Sequence, residues 1–546
     1  MKKENHADII FIGSNIITVD DKRPIAEALA VKDGIIVAVG SQEEVLQWKG
    51  DSTEIIELGD NTLMPGLVEP HSHPVLSALF YDFIDISGFN NPNGKAVINK
   101  LREAASKAEE GEWIFGFGLD FILMRDLKSF TADFLDTIST TNPIFLMIQS
   151  MHTAFVNHKA LEVVGITKET PDPGGGGYYV KDNEGNLTGM LIEQSALFPF
   201  IAAALRNSSK DNRQLINNQL MRYARAGYTT VGAAGIFPVF PNAMNLVKEI
   251  VQSDDSPIRM ALMNTKAFIK KKDEIDIGTG NDKLSNISVK FWYDGSPYTG
   301  SMLLDEPYMS SELMQVGLGV QEGIRGEPVH SKEKLRKMVL RYHNAGWQVV
   351  IHGQGDRATR EILDIYESIL KESPREDHRH RIEHCALISE EQIERAARLG
   401  VTLSWHVNHI YYYGEALRDE IIGTKRAKHL MQIGTAQKYG HRCSLHNDSP
   451  MYPAEPLRLM RTAITRKTRN SELIAVDQAV KIEDAIKMVT INAAWQMSME
   501  ERIGSLEVGK LADLVVLSEN PLNVEPERLD QIQVIRTYIG GMAIDI

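Results

Sequence analysis

Short apolar runs separated by turns open the chain. Residues 8–19, 26–31, 35–39 after the Asp33-Gly34 turn, and 54–58 read as strands of a small sheet. From residue 63 the pattern changes to apolar, β-rich runs alternating with helical stretches, the signature of parallel βα units. Candidate strands fall at 63–69, 229–233, 259–263, 287–293, 348–351, 381–385, 402–405 and 442–445. Eight such strands with helices between them predict an α/β fold, a closed (β/α)8 TIM-like barrel with its chemistry at the strands' carboxyl ends. Strand-like runs return at 512–517 and 533–539, so the two chain ends are expected to build one small β-sandwich domain, 1–62 with 500–546, flanking a barrel at 63–499. The interval between the first two barrel strands is far longer than one helix requires, which predicts an inserted subdomain at about 75–220. Gly174-Gly175-Gly176-Gly177 lies inside it and reads as a loop; no Lys-Ser/Thr follows, so it is not a phosphate cradle.

Composition narrows the function classes. At 546 residues, 43% hydrophobic and 24% charged, the chain has the make-up of a folded protein too long for one ordinary core. A formal net charge of −14 works against a nucleic-acid partner. The two cysteines, Cys385 and Cys443, form no C-x-x-C pair, so neither a disulfide framework nor a zinc finger is indicated, and both read as buried packing residues. The run Ile9-Ile10-Phe11-Ile12 is too short for a signal core, and no apolar stretch reaches the roughly 18 residues of a membrane span. The expectation is a soluble cytoplasmic protein with no membrane partner.

Donor side chains close several of the candidate strands. His71-Ser72-His73 ends the first, and a period of two puts both imidazoles on one side, at the end where barrel catalysis takes place. Alone, an H-x-H is more often a chance or surface pair. Its company changes that reading. Lys290 lies in the apolar run 289–294, where a charged lysine is costly unless it is paired or neutralised. His352 ends 349–352, His384 ends 381–384, and Asp448 follows 443–447. Any one of these serves equally as a satisfied core histidine or a capping aspartate. Nitrogen and oxygen donors at the ends of strands 1, 4, 5, 6 and 8 together read as a metal site.

Substrate contacts are less sharply marked. Trp292 shares the face of Lys290, and Tyr298 sits in the following loop, so both read as pocket walls, with core packing the equal alternative. His152, in the insertion, is placed either to donate a hydrogen bond to substrate or to cap a helix at the surface. Glu193 reads as a helix-surface glutamate, with an approach to the metals as the alternative. Residues 405–409 and 411–414 make an aromatic lip that favours an apolar or aromatic substrate part.

Met64-Pro65-Gly66-Leu67-Val68-Glu69-Pro70-His71-Ser72-His73 resembles the opening barrel strand of the amidohydrolase superfamily, and the run from Ile503 to Leu514 resembles its return to the terminal sheet. His352-Gly353-Gln354-Gly355-Asp356, Arg381-Ile382-Glu383-His384, Asn447-Asp448-Ser449-Pro450 and Met151-His152-Thr153-Ala154 are similar to the branch containing N-substituted formamide deformylase. The resemblance implies a hydrolase of non-peptide C–N bonds acting on a small-molecule amide, with a homodimer as the family's habit. It further implies that Lys290 is N6-carboxylated and bridges two divalent metals, with His71, His73 and Asp448 on one and His352 and His384 on the other. Zinc is the first choice for this donor set, one or two ions per chain, and manganese, iron or nickel also fit. Asp448 would then act as general base and acid, with His152 assisting. His446-Asn447 stands where relatives commonly carry a small Gly-Ser pair, so His446 is expected to enter the site, on the substrate or as an added metal contact. Alternatives on the same fold are a cyclic amide or imide hydrolase, a deaminase that needs no bridging lysine, and a barrel kept as a binding or scaffold protein.

Overall fold

The computed structural model describes residues 6–127, 130–174, 177–207, 211–236, 242–265 and 280–545. Gly175 and Gly176 of the four-glycine run lie outside the described residues. Among the described residues, eight parallel strands lie side by side in chain order: Leu67–Ser72, Tyr228–Ala234, Arg259–Thr265, Leu284–Trp292, Gln348–Gly353, Arg381–His384, Thr402–Trp405 and Ser444–Leu445. The first and last are tied at their carboxyl ends. The Asp448 amide donates to His71 O at 3.2 Å, and the His73 amide donates to Ser449 O at 2.9 Å. The result is a TIM-like barrel.

Its strands read as continuous apolar runs because parallel strands in this setting are covered on both faces; every residue of Tyr228–Ala234 and Arg259–Thr265 is buried. The surrounding helices are one-sided. Asp356–Glu372 buries Ile362, Ile365, Tyr366 and Ile369, spaced three and four apart, against the barrel.

The first barrel strand differs from the expected 63–69. Thr62–Pro65 pairs antiparallel with Leu514–Leu517 in the terminal sheet, and a new strand, Leu67–Ser72, starts the barrel. Gly66 makes the crossing: a Cβ there would overlap the Thr229 side chain of the second barrel strand. Because the apolar run Leu63-Met64-Pro65-Gly66-Leu67-Val68 continues across the crossing and both strands are buried throughout, hydrophobic patterning could not show the change of sheet.

Strands from both chain ends share one sheet, in the order Met542–Ala543, Val534–Ile539, Leu514–Leu517, Thr62–Pro65, Ile9–Ile17, Ile25–Lys32 and Ile35–Gly40, with Glu54–Glu57 also on Ile9–Ile17. Phe11, Leu29, Leu63, Leu514, Val516 and Tyr538 form its core. A buried ion pair, Arg259 Nε to Asp513 Oδ2 at 2.6 Å, joins it to the third barrel strand.

A third sheet, with strands between Ile84 and Ile192, lies between the first two barrel strands in the chain. It reaches the carboxyl-end loops. Gln149 Nε2 donates to Met451 O at 2.7 Å and Pro450 O at 3.1 Å, and Tyr413 Oη donates to Asp120 Oδ2 at 2.5 Å. No helix among the described residues is long and apolar enough to cross a membrane.

Candidate metal centre

The barrel brings donors from distant parts of the chain to one point. Asp448 Oδ1 lies 3.2 Å from His73 Nε2 and 3.5 Å from His71 Nε2. Its other oxygen is 3.9 Å from His384 Nδ1 and 4.0 Å from His406 Nδ1. Lys290 Nζ is 3.5 Å from His71 Nε2 and 5.5 Å from the centre of the Trp292 ring. The His352 ring sits 4.3 Å from that of His384, and its Nε2 donates to Gly295 O at 3.3 Å. Strands 1, 4, 5, 6 and 8 therefore deliver His71, Lys290, His352, His384 and Asp448 to the same end. His384 and Asp448 both adopt left-handed backbone, with φ of 75° and 57°, where non-glycine residues are uncommon and often functional.

Burial sets the protonation states. It pushes the imidazoles of His71, His384 and His446 well below their usual value, His352 to about 3 and His406 to about 4, with the Lys290 charge adding to the effect on His71 and His352. Neutral rings keep a lone pair for coordination. Burial also lowers Lys290 to about 8, against the opposing pull of Glu383 and Asp448. For Asp448, burial is outweighed by facing His71 and His73, and the carboxyl is held below its usual range.

A layer of buried side chains fixes these donors. The Glu383 carboxylate faces His71 Nδ1 with Oε1 at 3.1 Å, while the Nε2 of His71 faces Asp448 and Lys290. The same oxygen pairs with Arg381 Nη2 at 2.5 Å. Glu69 accepts from the amides of His71 and Asn447, both at 3.0 Å, and so couples the first strand to the loop that carries Asp448. Sequence reasoning did not single out Glu69, Glu383 or His406; the alternation Arg381-Ile382-Glu383-His384 and the place of His406 just after strand 7 were the available signals.

The other candidates fall nearby in different surroundings. His446 is fully buried, with Nε2 3.0 Å from His384 Nδ1 and Nδ1 2.7 Å from Ser404 Oγ. Tyr298 is buried, its hydroxyl 2.6 Å from His409 Nδ1. His152 bonds through Nδ1 to Glu193 at 3.0 Å and lies close enough to His352 to bear on its charge. Trp405, Tyr412 and Tyr413 of the expected aromatic lip are buried, and Tyr412 stacks on Tyr452 at 5.3 Å. Cys385 and Cys443 are both buried.

The donor set fits a divalent cation. His71, His384 and Asp448 each bring a ligand atom within 4.8 Å of the other two, and His384, His406 and His446 do the same. His406 Nδ1 is buried with no hydrogen-bond partner, an expensive state for a polar atom that coordination would relieve.

Comparison with known proteins gives a consistent picture. A family described as "Amidohydrolase family" matches residues 54–544. N-substituted formamide deformylase of Arthrobacter pascens is 27% identical over 538 residues, covering 98% of each chain. Protein LONG AFTER FAR-RED 3 of Arabidopsis thaliana is also 27% identical, over 98% of this chain and 91% of its own. Among solved structures, an uncharacterized metal-dependent hydrolase from Pyrococcus horikoshii OT3 superposes with a TM-score of 0.74 at 23% identity, covering 95% of this chain and 99% of that one.

Proposed function

The chain belongs to the amidohydrolase family, and on that premise we propose that it is a metal-dependent hydrolase of a non-peptide C–N bond, with N-substituted formamides the first substrate class to test. The observation that carries this reading is the meeting of His71, His73, Lys290, His384 and Asp448 at one end of the barrel. The formamide class comes from the Arthrobacter relative.

His71, His73 and Asp448 would hold one cation, zinc in first place, and His352 and His384 a second, with Lys290 between them. Divalent cations in such a site make water nucleophilic near neutral pH and polarise a carbonyl. The Lys290 amine, largely stripped of water, attacks carbon dioxide and loses one proton, giving a carbamate that replaces a costly buried cation with an anion. Asp448 takes the proton of the attacking water and passes it to the leaving nitrogen as the C–N bond breaks. His152, steadied by Glu193, donates a hydrogen bond to the developing oxyanion. Trp292, Tyr298 and His446 shape the pocket. In this reading the catalytic unit runs from Leu67 to about residue 499, the subdomain at about 75–220 covers its mouth, and the chain up to Pro65 with residues 500–546 forms the β-sandwich domain. The protein works in the cytoplasm, as a homodimer, on small molecules.

Elemental analysis of protein purified without chelator, beside a Lys290→Ala variant, tests the site, and an amide screen starting from N-substituted formamides tests the reaction. Two metals per chain falling in the variant, with release of formate and amine, is the expected result. One metal unaffected by the substitution would overturn the bridged site and favour deamination; no metal would favour a binding barrel.

A further inference from the structure

Two of the buried imidazoles are not used by the donor assignment above, and they face the same point as a third. His406 and His446 come from the loops after strands 7 and 8, and their rings lie 4.8 Å apart. His406 donates through Nε2 to Asn447 O at 3.1 Å, so its Nδ1 carries a lone pair, and that atom is buried with no hydrogen-bond partner. His446 has one nitrogen engaged by Ser404 Oγ at 2.7 Å, and its other, Nε2, faces His384 Nδ1 at 3.0 Å. Ser404 is in turn 3.0 Å from Ser444 Oγ, which donates to Gln496 Oε1 at 2.7 Å. Gln496 is anchored to Leu403 O and Arg442 O at 2.9 and 2.8 Å. The His446 ring is thus held from behind by a buried polar chain, in the way that outer partners orient metal-ligating histidines.

A proton shared between His384 and His446 satisfies that pair and still leaves the His406 lone pair unused. A cation among His384 Nδ1, His406 Nδ1 and His446 Nε2 uses all three, and Asp448 Oδ2 stands 3.9 and 4.0 Å from the first two nitrogens. The geometry points to a three-imidazole metal position at His384, His406 and His446, distinct from the His71–His73–Asp448 position. Three neutral nitrogens select zinc, cobalt or nickel over magnesium or calcium. The inference rests on the metal-dependent reading of the same barrel end, and it assigns His384 Nδ1 to the His406–His446 pair in preference to His352.

The test strips the full-length protein with chelator, refills it with Co²⁺, and reads bound equivalents together with the visible d–d absorption. Wild type, His446→Phe, Ser404→Ala and His71→Asn are compared. His446→Phe is expected to lose one equivalent and its bands, while His71→Asn keeps the His446-dependent bands. Ser404→Ala, which removes only the outer partner, is expected to bind that equivalent about 10–100-fold more weakly. If His446→Phe does not fold, Ser404→Ala decides. Unchanged stoichiometry, affinity and spectrum in the folded variants would overturn the three-imidazole position and leave the metal-dependent reading standing. Wild type that takes up no Co²⁺ would overturn both.

Discussion

Glu383 holds two buried residues with one oxygen, and removing it separates two effects that can be measured independently. Its Oε1 is 3.1 Å from His71 Nδ1 and 2.5 Å from Arg381 Nη2, and all three side chains are 1% exposed or less. Glu383→Leu leaves the Arg381 guanidinium in the barrel without its counter-charge, bonded to Pro70 O at 3.1 Å. Stranding one partner of a buried pair costs about 3–5 kcal/mol, whereas replacing both by apolar side chains is often close to neutral. The double variant Arg381→Met/Glu383→Leu is therefore expected to recover most of the stability lost by the single one. His71 does not recover. Without the facing carboxylate, a proton on Nδ1 loses the charge that favours it over Nε2, and metal affinity is expected to fall about 10–100-fold in both variants, which is about 1.4–2.8 kcal/mol. Thermal midpoints of chelator-treated protein give the first quantity, and zinc competition against a chromophoric chelator gives the second. If Glu383→Leu is as stable as the double variant, or if either binds zinc as wild type does, Glu383 does not have the double role the geometry assigns it.

Three further outcomes follow from the same geometry. Asp448→Asn is expected to lower kcat/KM about 10²–10⁴-fold on any amide found in the screen, the usual loss when a general base is removed; a variant with wild-type turnover refutes that role. The metal-free protein is expected to lose stability as the pH falls below about 6.5, where the unfolded chain takes up protons that buried His352, at about 3, and His406, at about 4, refuse in the folded state. Because the folded pKa values lie below the unfolded one, this stability is present above about pH 6.5 and declines toward about pH 4; an unchanged urea midpoint between about pH 7 and about pH 5 would contradict it. Asp513→Ala strands Arg259 between barrel and terminal sheet, at about 3–5 kcal/mol, and hydrogen exchange should quicken first in Leu514–Leu517 and Val534–Ile539; uniform protection there would show that the pair is not what joins them.

The sequence by itself determined the barrel and which donor side chains end its strands. Parallel strands buried on both faces leave an unambiguous mark, so 402–405 was legible to the residue and 259–263 to within two. His71, His352, His384 and Asp448 stood out because polar donors ending apolar runs are costly without a purpose. What the tertiary structure alone decided is how these groups meet. The switch of sheet at Gly66 is invisible to periodicity, since the apolar run 63–68 passes through it unbroken and the strands on both sides are buried throughout. His446 looked from the sequence like a residue entering the pocket, and only the pairing of strand 8 with strand 7, which is itself paired with strand 6, sets it between Ser404 and His384. The link from Glu383 to His71 spans more than three hundred residues. No local pattern encodes such contacts, because they depend on the register in which distant strands close the barrel.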